Sequence, residues 1–188
     1  MFGSSSALSL VEEKSPTLSF GCALIDGTVG RLSSRGITEI AGEAGTGKTQ
    51  FCMSLSLRCQ QPSSNGGLDG ACAYIACGEG DFPIRRLSQL AMEQPGASLE
   101  KVHIEQCYSP EDMMSTLQKK IPHMHNELGI KLLIIDSLAG LLRYEYDLMG
   151  KRSHEMFERT QYLFRFATIL KWLADTFKIC IIVVNQVI

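Results

Sequence analysis

The chain has 188 residues, a length typical of one domain that can bury a sizeable hydrophobic core. Hydrophobic residues make up 45% and charged residues 20%, the balance of an ordinary soluble globular protein, and no apolar run reaches membrane-spanning length. The formal net charge of −2 excludes a global electrostatic attraction to nucleic acid, so any nucleic-acid site must be local.

The N-terminal residues 1–16 are Ser-rich, show no hydrophobic periodicity and lack a signal-peptide pattern. We expect them to form a linker or flexible arm before a core domain at 17–188. The seven cysteines are scattered through apolar segments, which is typical of reduced thiols in an intracellular protein. Because no CxxC pair occurs, a metal or disulfide role for Cys72 and Cys77 is disfavoured.

From Leu18 onward, short apolar runs alternate with amphipathic helical patterns. The predicted strands are 37–41, 71–77, 102–106, 131–135 and 179–184, and the predicted helices lie near 48–59, 83–92, 110–126 and 155–177. This alternation predicts an α/β fold whose largely parallel, twisted sheet is covered by helices on both faces. The last strand ends close to the last residue, so we expect further C-terminal strands to be missing and a sheet edge to be uncovered.

The first motif is a phosphate-binding loop between strand 37–41 and the helix that follows it. Residues 42–49 fit G-x-x-x-x-G-K-[ST], in which glycines let backbone N–H groups point at phosphate oxygens. Lys48 is predicted to reach the outer phosphates, and the Thr49 hydroxyl to complete a Mg²⁺ shell. The flanking strand and helix disfavour a chance glycine-rich turn. The predicted ATP-binding residues of this segment are Gly42, Glu43, Ala44, Gly45, Thr46, Gly47, Lys48, Thr49 and Gln50.

Polar residues follow three other predicted strands, where open α/β sheets place their ligands. Asp136 ends an apolar run and is predicted to bind Mg²⁺ directly or through a water. Glu79 follows strand 71–77 and is a candidate to deprotonate the attacking water; a solvated loop acid is the open alternative. Asn185 and Gln186 are candidates to sense the γ-phosphate, although from position alone they could equally be a strand end.

Together these motifs resemble the RecA-like recombinase ATPases, in their eukaryotic branch. The resemblance covers about 18–187, with segments 36–50, 74–87, 135–137 and 185–187 as its motifs. Segments 18–22, 81–87, 103–105 and 119–122 resemble one recombinase paralogue in particular.

The resemblance implies a RecA-like ATPase core, ATP and Mg²⁺ as ligands, and a role in homologous-recombination repair of DNA. The implied partners are another recombinase-paralogue ATPase subunit in a hetero-oligomer, single-stranded or branched DNA, and a recombinase filament. The implied location is the nucleus, with a cytoplasmic pool. The recombinases' N-terminal helical domain and second DNA-binding loop have no counterpart in this sequence. At their polymerisation motif Phe-x-x-Ala the chain has 4–7, Ser-Ser-Ser-Ala, so docking by that route is not expected.

The resemblance also implies roles for single residues. Glu79 corresponds to the water-activating glutamate and Gln186 to the γ-phosphate sensor, while Arg86 corresponds to an arginine that packs on adenine. One extra residue precedes Glu79 compared with the family pattern, which leaves Asp81 as the substitute base.

The family's first DNA-binding loop corresponds to 143–154 of this chain. Lys151 and Arg152 are candidate phosphate contacts there, and Tyr144 or Tyr146 could stack on a base. The open alternative is a solvated loop, favoured by the two acids in the segment.

Three functions follow from these observations. The first is a DNA-dependent ATPase subunit with weak hydrolysis. The second is an assembly module in which ATP acts as a clamp between subunits with little hydrolysis. A self-polymerising strand-exchange recombinase is the third and is less favoured, because the phenylalanine anchor is missing.

Overall fold

The computed structural model describes the backbone of residues 15–78, 80–146 and 153–186, and their side chains except those of 143–146 and 153–156. The strands are β1 (Thr17–Leu18), β2 (Leu32–Ser33), β3 (Ile37–Gly42), β4 (Ala71–Cys77), β5 (Val102–Cys107), β6 (Ile130–Asp136) and β7 (Cys180–Gln186). The α-helices are α1 (Ala23–Val29), α2 (Lys48–Arg58), α3 (Ile84–Glu93), α4 (Pro110–Ser115), α5 (Ile121–Leu128), α6 (Leu138–Tyr146) and α7 (Ser153–Phe177). The predicted arm at 1–16 falls almost entirely outside the described residues and stays a prediction.

Five strands form one parallel sheet in the order β3-β7-β6-β4-β5, and β1 pairs with β2 in a separate antiparallel ribbon. The predicted α/β fold with a parallel sheet is therefore confirmed. All five predicted strands are present with ends within two residues of the predicted ones. None of the described helices is long and apolar enough to cross a membrane.

Helices cover both faces of the sheet, because successive strand side chains point to opposite faces. On β6, Leu133 and Ile135 face one hydrophobic core with the buried residues of α6 and α7, whereas Leu132 and Ile134 face a second core with α2 and α3. All four side chains are fully buried. A strand buried on both faces shows an uninterrupted apolar run, which is why the sequence predicts β6 so clearly.

Helix α6 is absent from the sequence-based prediction, which treats 143–154 as a loop. The backbone of 143–146 belongs to α6, and that of 153–154 begins α7. The helix buries Leu138, Leu141 and Leu142 against the sheet. The spacing of three and four residues between these leucines is helical. Because the run is short and contains a glycine, the spacing alone does not predict a helix, and the tertiary contacts stabilise it.

The predicted helix at 110–126 is divided by one turn of π-helix at Thr116–Lys120. The division falls just before Pro122, which has no N–H to donate and whose ring crowds the carbonyl four residues earlier. Ser109 caps the start by accepting a hydrogen bond from the Asp112 N–H at 3.1 Å, and Gly129 ends α5 in the left-handed conformation.

The expected missing C-terminal strands and uncovered edge stay predictions; among the described strands, β3 and β5 form the two edges of the sheet. The last described strand, β7, lies inside the sheet between β3 and β6. Among the described residues, β3 has only β7 as a neighbour, and its first residue Ile37 is 45% exposed. Strand β3 also leads into the phosphate loop, so this edge adjoins the candidate site.

Candidate nucleotide-binding site

The topology brings the predicted site residues to one edge of the sheet. Because β3, β7, β6 and β4 are parallel neighbours, their C-terminal ends meet there. In the register, Gly42 lies opposite Gln186, and Asp136 lies opposite Ala76, just before the end of β4. Gln186 therefore stands between the phosphate loop and the strand that ends in Asp136.

The phosphate loop is folded as a cradle. Gly45 and Gly47 have φ angles of +78° and +89°, which residues with a Cβ rarely adopt. The Thr46 hydroxyl donates to the Glu43 carbonyl at 2.9 Å and so closes the turn. Helix α2 begins at Lys48, and Gly47 at its cap position has no side chain to occupy the first-turn N–H groups. Those donors and the positive helix end suit a phosphate.

The Lys48 ammonium lies across the loop. Its Nζ donates to the carbonyl oxygens of Gly42 at 2.8 Å and Glu43 at 2.6 Å. In both bonds a charged ammonium donates to a neutral carbonyl oxygen. Phosphate oxygens are negatively charged, so they can replace these carbonyl oxygens as stronger acceptors. The residue predicted to hold the outer phosphates is thus already positioned over the cradle.

A groove of about 660 Å³ runs along the outer flank of the loop. Its lining includes neither Asp136 nor Gln186. Its lining residues are Ile40, Ala41, Gly45, Thr46, Gly47, Lys48, Gln50, Phe51 and Ser54.

Asp136 is held by a tyrosine that the sequence-based prediction did not assign to the site. The Tyr74 hydroxyl donates to Asp136 Oδ2 at 2.6 Å. Tyr74 is 1% exposed, and burial together with the Asp136 carboxylate raises its pKa, so the phenol stays protonated as a donor. Its ring packs edge to face on Phe82, with ring centroids 4.9 Å apart. The available signal was a tyrosine in a buried strand, whose hydroxyl requires a partner.

Asp136 also faces the first turns of α2. Leu132 and Ile134, four and two residues before Asp136 on β6, pack in the same core as Cys52 of α2, and Asp136 lies on that same face of the strand. Thr49 precedes Cys52 by three residues, so the two side chains share a helix face. The Thr49 hydroxyl and the Asp136 carboxylate are thus a fitting oxygen pair for Mg²⁺.

The donor set agrees with that ion. No group of three or more His, Cys, Asp or Glu side chains that could enclose a metal occurs in the described part of the chain. Mg²⁺ in nucleotide sites is commonly held by one or two protein oxygens together with phosphates and water, so one carboxylate and one hydroxyl suffice.

Glu79 itself lies outside the described residues, but the residues on either side of it are held by β5. The Gln106 amide donates to the carbonyl oxygens of Gly78 at 2.9 Å and Gly80 at 3.4 Å. The Gly78 N–H donates to the Cys107 carbonyl at 3.1 Å. Asp81 is exposed. The choice of base between Glu79 and Asp81 stays open.

The two amides at the end of β7 have different environments. The Asn185 amide donates to Glu39 Oε1 on the neighbouring strand at 2.9 Å, and its oxygen accepts the Gln186 N–H at 3.0 Å. Asn185 therefore braces the strand end, whereas Gln186 lies beside the first glycine of the phosphate loop. Its predicted sensing role stays a prediction.

Of the remaining predicted residues, only Arg86 is described, and it does not line the groove. Arg86 lies on the first turn of α3, where its guanidinium donates to Gln89 Oε1 at 3.0 Å, and it is absent from the groove lining. Its predicted packing on adenine stays a prediction. Lys151 and Arg152, the predicted DNA contacts, lie outside the described residues.

Comparison with known proteins identifies the relatives of this chain. The Rad51 family model matches residues 14–188. The chain is 34% identical to the "DNA repair protein XRCC3 homolog" of Arabidopsis thaliana, over 93% of this chain and 62% of that protein. It is 34% identical to the mouse (Mus musculus) "DNA repair protein RAD51 homolog 2", over 88% of this chain and 49% of the relative. It is also 32% identical to "DNA repair protein XRCC3" of Bos taurus, over 98% and 58%.

The particular paralogue that the sequence resembles is XRCC3, so that resemblance is confirmed. The chain spans less than two thirds of the length of each of these relatives.

Proposed function

The chain belongs to the Rad51 family, and from that premise we propose that it is an ATP-binding subunit that acts in homologous-recombination repair of DNA. The observation that supports the proposal best is the cradle at 42–49, with Lys48 already over it, at the sheet edge where Asp136 and Gln186 end neighbouring strands. Each part of the site has a distinct task toward a nucleoside triphosphate.

Binding of ATP would exchange partners within the loop. Phosphate oxygens would take the backbone N–H groups at the start of α2, and Lys48 would turn from the carbonyls of Gly42 and Glu43 to the outer phosphates. Mg²⁺, held by Thr49 and Asp136, would neutralise phosphate charge. Gln186, beside Gly42, is positioned to respond to the γ-phosphate.

Hydrolysis requires a base close to the attacking water. Glu79 is our first candidate because it corresponds to the family's glutamate, and Gln106 holds both carbonyls that flank it. Asp81 is the second candidate, two residues further along the same loop. A base typically contributes about 10²- to 10⁴-fold to the rate.

A second function is favoured by the exposure of the site. The loop residues Gly45, Thr46 and Gly47 are exposed, and the adjoining strand β3 is an edge of the sheet among the described strands. A neighbouring subunit could cover both, so that ATP acts as a clamp between subunits with little hydrolysis. We propose another recombinase-paralogue ATPase as that neighbour, with single-stranded or branched DNA and a recombinase filament as further partners. The nucleus, with a cytoplasmic pool, is the proposed location because the DNA to be repaired is there.

The test combines assembly with catalysis. Native mass spectrometry of the chain with candidate paralogue subunits should show a hetero-oligomer that ATP tightens, since a ligand that prefers the assembled state shifts the equilibrium towards it. Single-turnover hydrolysis in that complex is then compared for Glu79→Gln and Asp81→Asn.

Each result has a consequence for the proposal. Loss of hydrolysis only with Asp81→Asn moves the base to Asp81. A complex that binds ATP but hydrolyses none, with or without DNA, selects the clamp. Long filaments formed by this chain alone with ATP and single-stranded DNA overturn the hetero-oligomer and restore the strand-exchange recombinase.

A further inference from the structure

We propose that Tyr74 is a positioning residue that fixes the orientation of the Asp136 carboxylate for Mg²⁺ and connects it to the loop carrying the candidate bases. This inference rests on the proposed ATP·Mg²⁺ function and gives a role to a residue to which the sequence-based prediction assigned none. Three observations carry it: the hydrogen bond to Asp136, the burial of Tyr74, and its contact with Phe82.

The strand register explains how the hydroxyl reaches the carboxylate. Tyr74 on β4 lies opposite Ile134 on β6, and Ala76 lies opposite Asp136. Residues two apart on a strand share a face, so Tyr74 and Asp136 both face α2. The tyrosine lies three residues before the end of β4, and its long side chain reaches Asp136 Oδ2 at 2.6 Å.

The hydroxyl is fixed in place because the ring is fixed. Tyr74 is 1% exposed in the core formed by the sheet with α2 and α3. Its other constraint is Phe82, with centroids 4.9 Å apart at an interplanar angle of 68°. A buried ring with only two side-chain torsions has little freedom, so its hydroxyl is a rigid donor. Oδ1 of Asp136 accepts no hydrogen bond from the described residues and is the oxygen available to a metal.

Rigid orientation matters for this ion in particular. Mg²⁺ demands near-octahedral geometry with oxygens at about 2.0–2.1 Å, so a carboxylate free to rotate is a poorer ligand. Partners that orient metal ligands typically contribute about 10- to 100-fold in metal affinity or activity.

The same ring also touches the other half of the site. Phe82 follows directly after Asp81, one of the two candidate bases. A movement of the Asp136 carboxylate on metal binding would therefore be transmitted to Phe82 through one hydrogen bond and one ring contact.

The experiment uses Tyr74→Phe, which removes the hydroxyl and keeps the ring. Calorimetric titration of ATP at increasing Mg²⁺ concentration gives the Mg²⁺ midpoint, and titration in EDTA gives the metal-free ATP affinity. We expect the midpoint to rise about 10-fold, with the metal-free affinity unchanged. Tyr108→Phe is the control, because Tyr108 is 60% exposed at the end of β5. A Tyr74→Phe midpoint within twofold of the parent overturns the proposal.

A double-mutant cycle separates positioning from packing. If Tyr74 acts through Asp136, then Tyr74→Phe shifts the midpoint no further in an Asp136→Asn background. Independent, multiplying effects overturn the proposal. A parent chain that binds ATP equally with and without Mg²⁺ overturns the metal part of the proposed function, and this inference with it. If the parent chain depends on Mg²⁺ and Tyr74→Phe leaves the Mg²⁺ midpoint unchanged, this inference alone is overturned.

The bond can also be measured without substituting Tyr74. The chain has five tyrosines, which carbon-13 labelling at Cζ makes visible by NMR in the parent protein. One signal should shift with Asp136→Asn, and the same signal should shift when ATP·Mg²⁺ is added. The proposal is overturned if no tyrosine signal responds to both changes, even where Tyr74→Phe fails to fold.

Discussion

Removing the Lys48 ammonium is the most direct perturbation of the candidate site. In Lys48→Ala the cradle keeps its backbone, but the cation that bonds to the Gly42 and Glu43 carbonyls at 2.8 and 2.6 Å is gone. The variant should therefore lose affinity for ATP while the loop remains able to accept phosphate through its N–H groups.

The magnitude follows from an exchange of hydrogen bonds. A bond to a charged group contributes about 1.5–3 kcal/mol, and ATP binding replaces the two ammonium–carbonyl bonds by ammonium–phosphate bonds. The two ammonium–carbonyl bonds that break when ATP binds offset part of the free energy gained from the ammonium–phosphate bonds. We therefore take the contribution of one charged bond as the binding free energy that Lys48→Ala loses. At about 1.4 kcal/mol per tenfold, this corresponds to roughly 10- to 150-fold weaker binding.

Isothermal titration calorimetry of ATP with Mg²⁺ measures this change. Lys101→Ala is the matched control, because it removes an exposed lysine before β5, at the opposite edge of the sheet. It should leave the ATP affinity unchanged, and thermal unfolding should show that both variants are folded. A Lys48→Ala affinity within threefold of the parent would refute the assignment of residues 42–49 as the phosphate loop.

Three further predictions concern stability. Gly67→Ala should lower the free energy of unfolding by about 1–3 kcal/mol in a denaturant titration, because an added Cβ would lie 1.9 Å from the Gln61 carbonyl oxygen. Gly27→Ala in α1 should act oppositely and stabilise by about 0.5–1 kcal/mol, since nothing lies within 4 Å of its Cβ position; equal effects of the two alanines would refute both arguments. Hydrogen bonds from the Ser19 hydroxyl at 2.5 Å and the Phe20 N–H at 2.8 Å lower the pKa of Asp26 below 3.8. Asp26→Asn should therefore lower the melting temperature at pH 7, and the difference should disappear as the pH falls from 3.8 through the lowered pKa; a difference that persists at lower pH would contradict this.

The sequence predicts the parts of this protein whose physics is local. Strand β6 is an apolar run ending in Asp136, and the glycines at 42–47 with Lys48 and Thr49 suit phosphate without reference to any other segment. The parallel α/β arrangement follows from strands alternating with helices, so the common edge that gathers the strand ends could also be inferred.

The tertiary structure decides what depends on strand order and on neighbours distant in sequence. Strand β7 pairs with β3, 146 positions away at the Glu39–Asn185 bond, which puts the last described strand inside the sheet and β3 at an edge of its described part. The short sequence of helix α6 does not predict a helix by itself, and burial of its leucines against the sheet stabilises it. The bond between Tyr74 and Asp136 joins residues 62 positions apart. No local pattern encodes it, because it arises only where β4 and β6 lie side by side and a buried hydroxyl must find an acceptor.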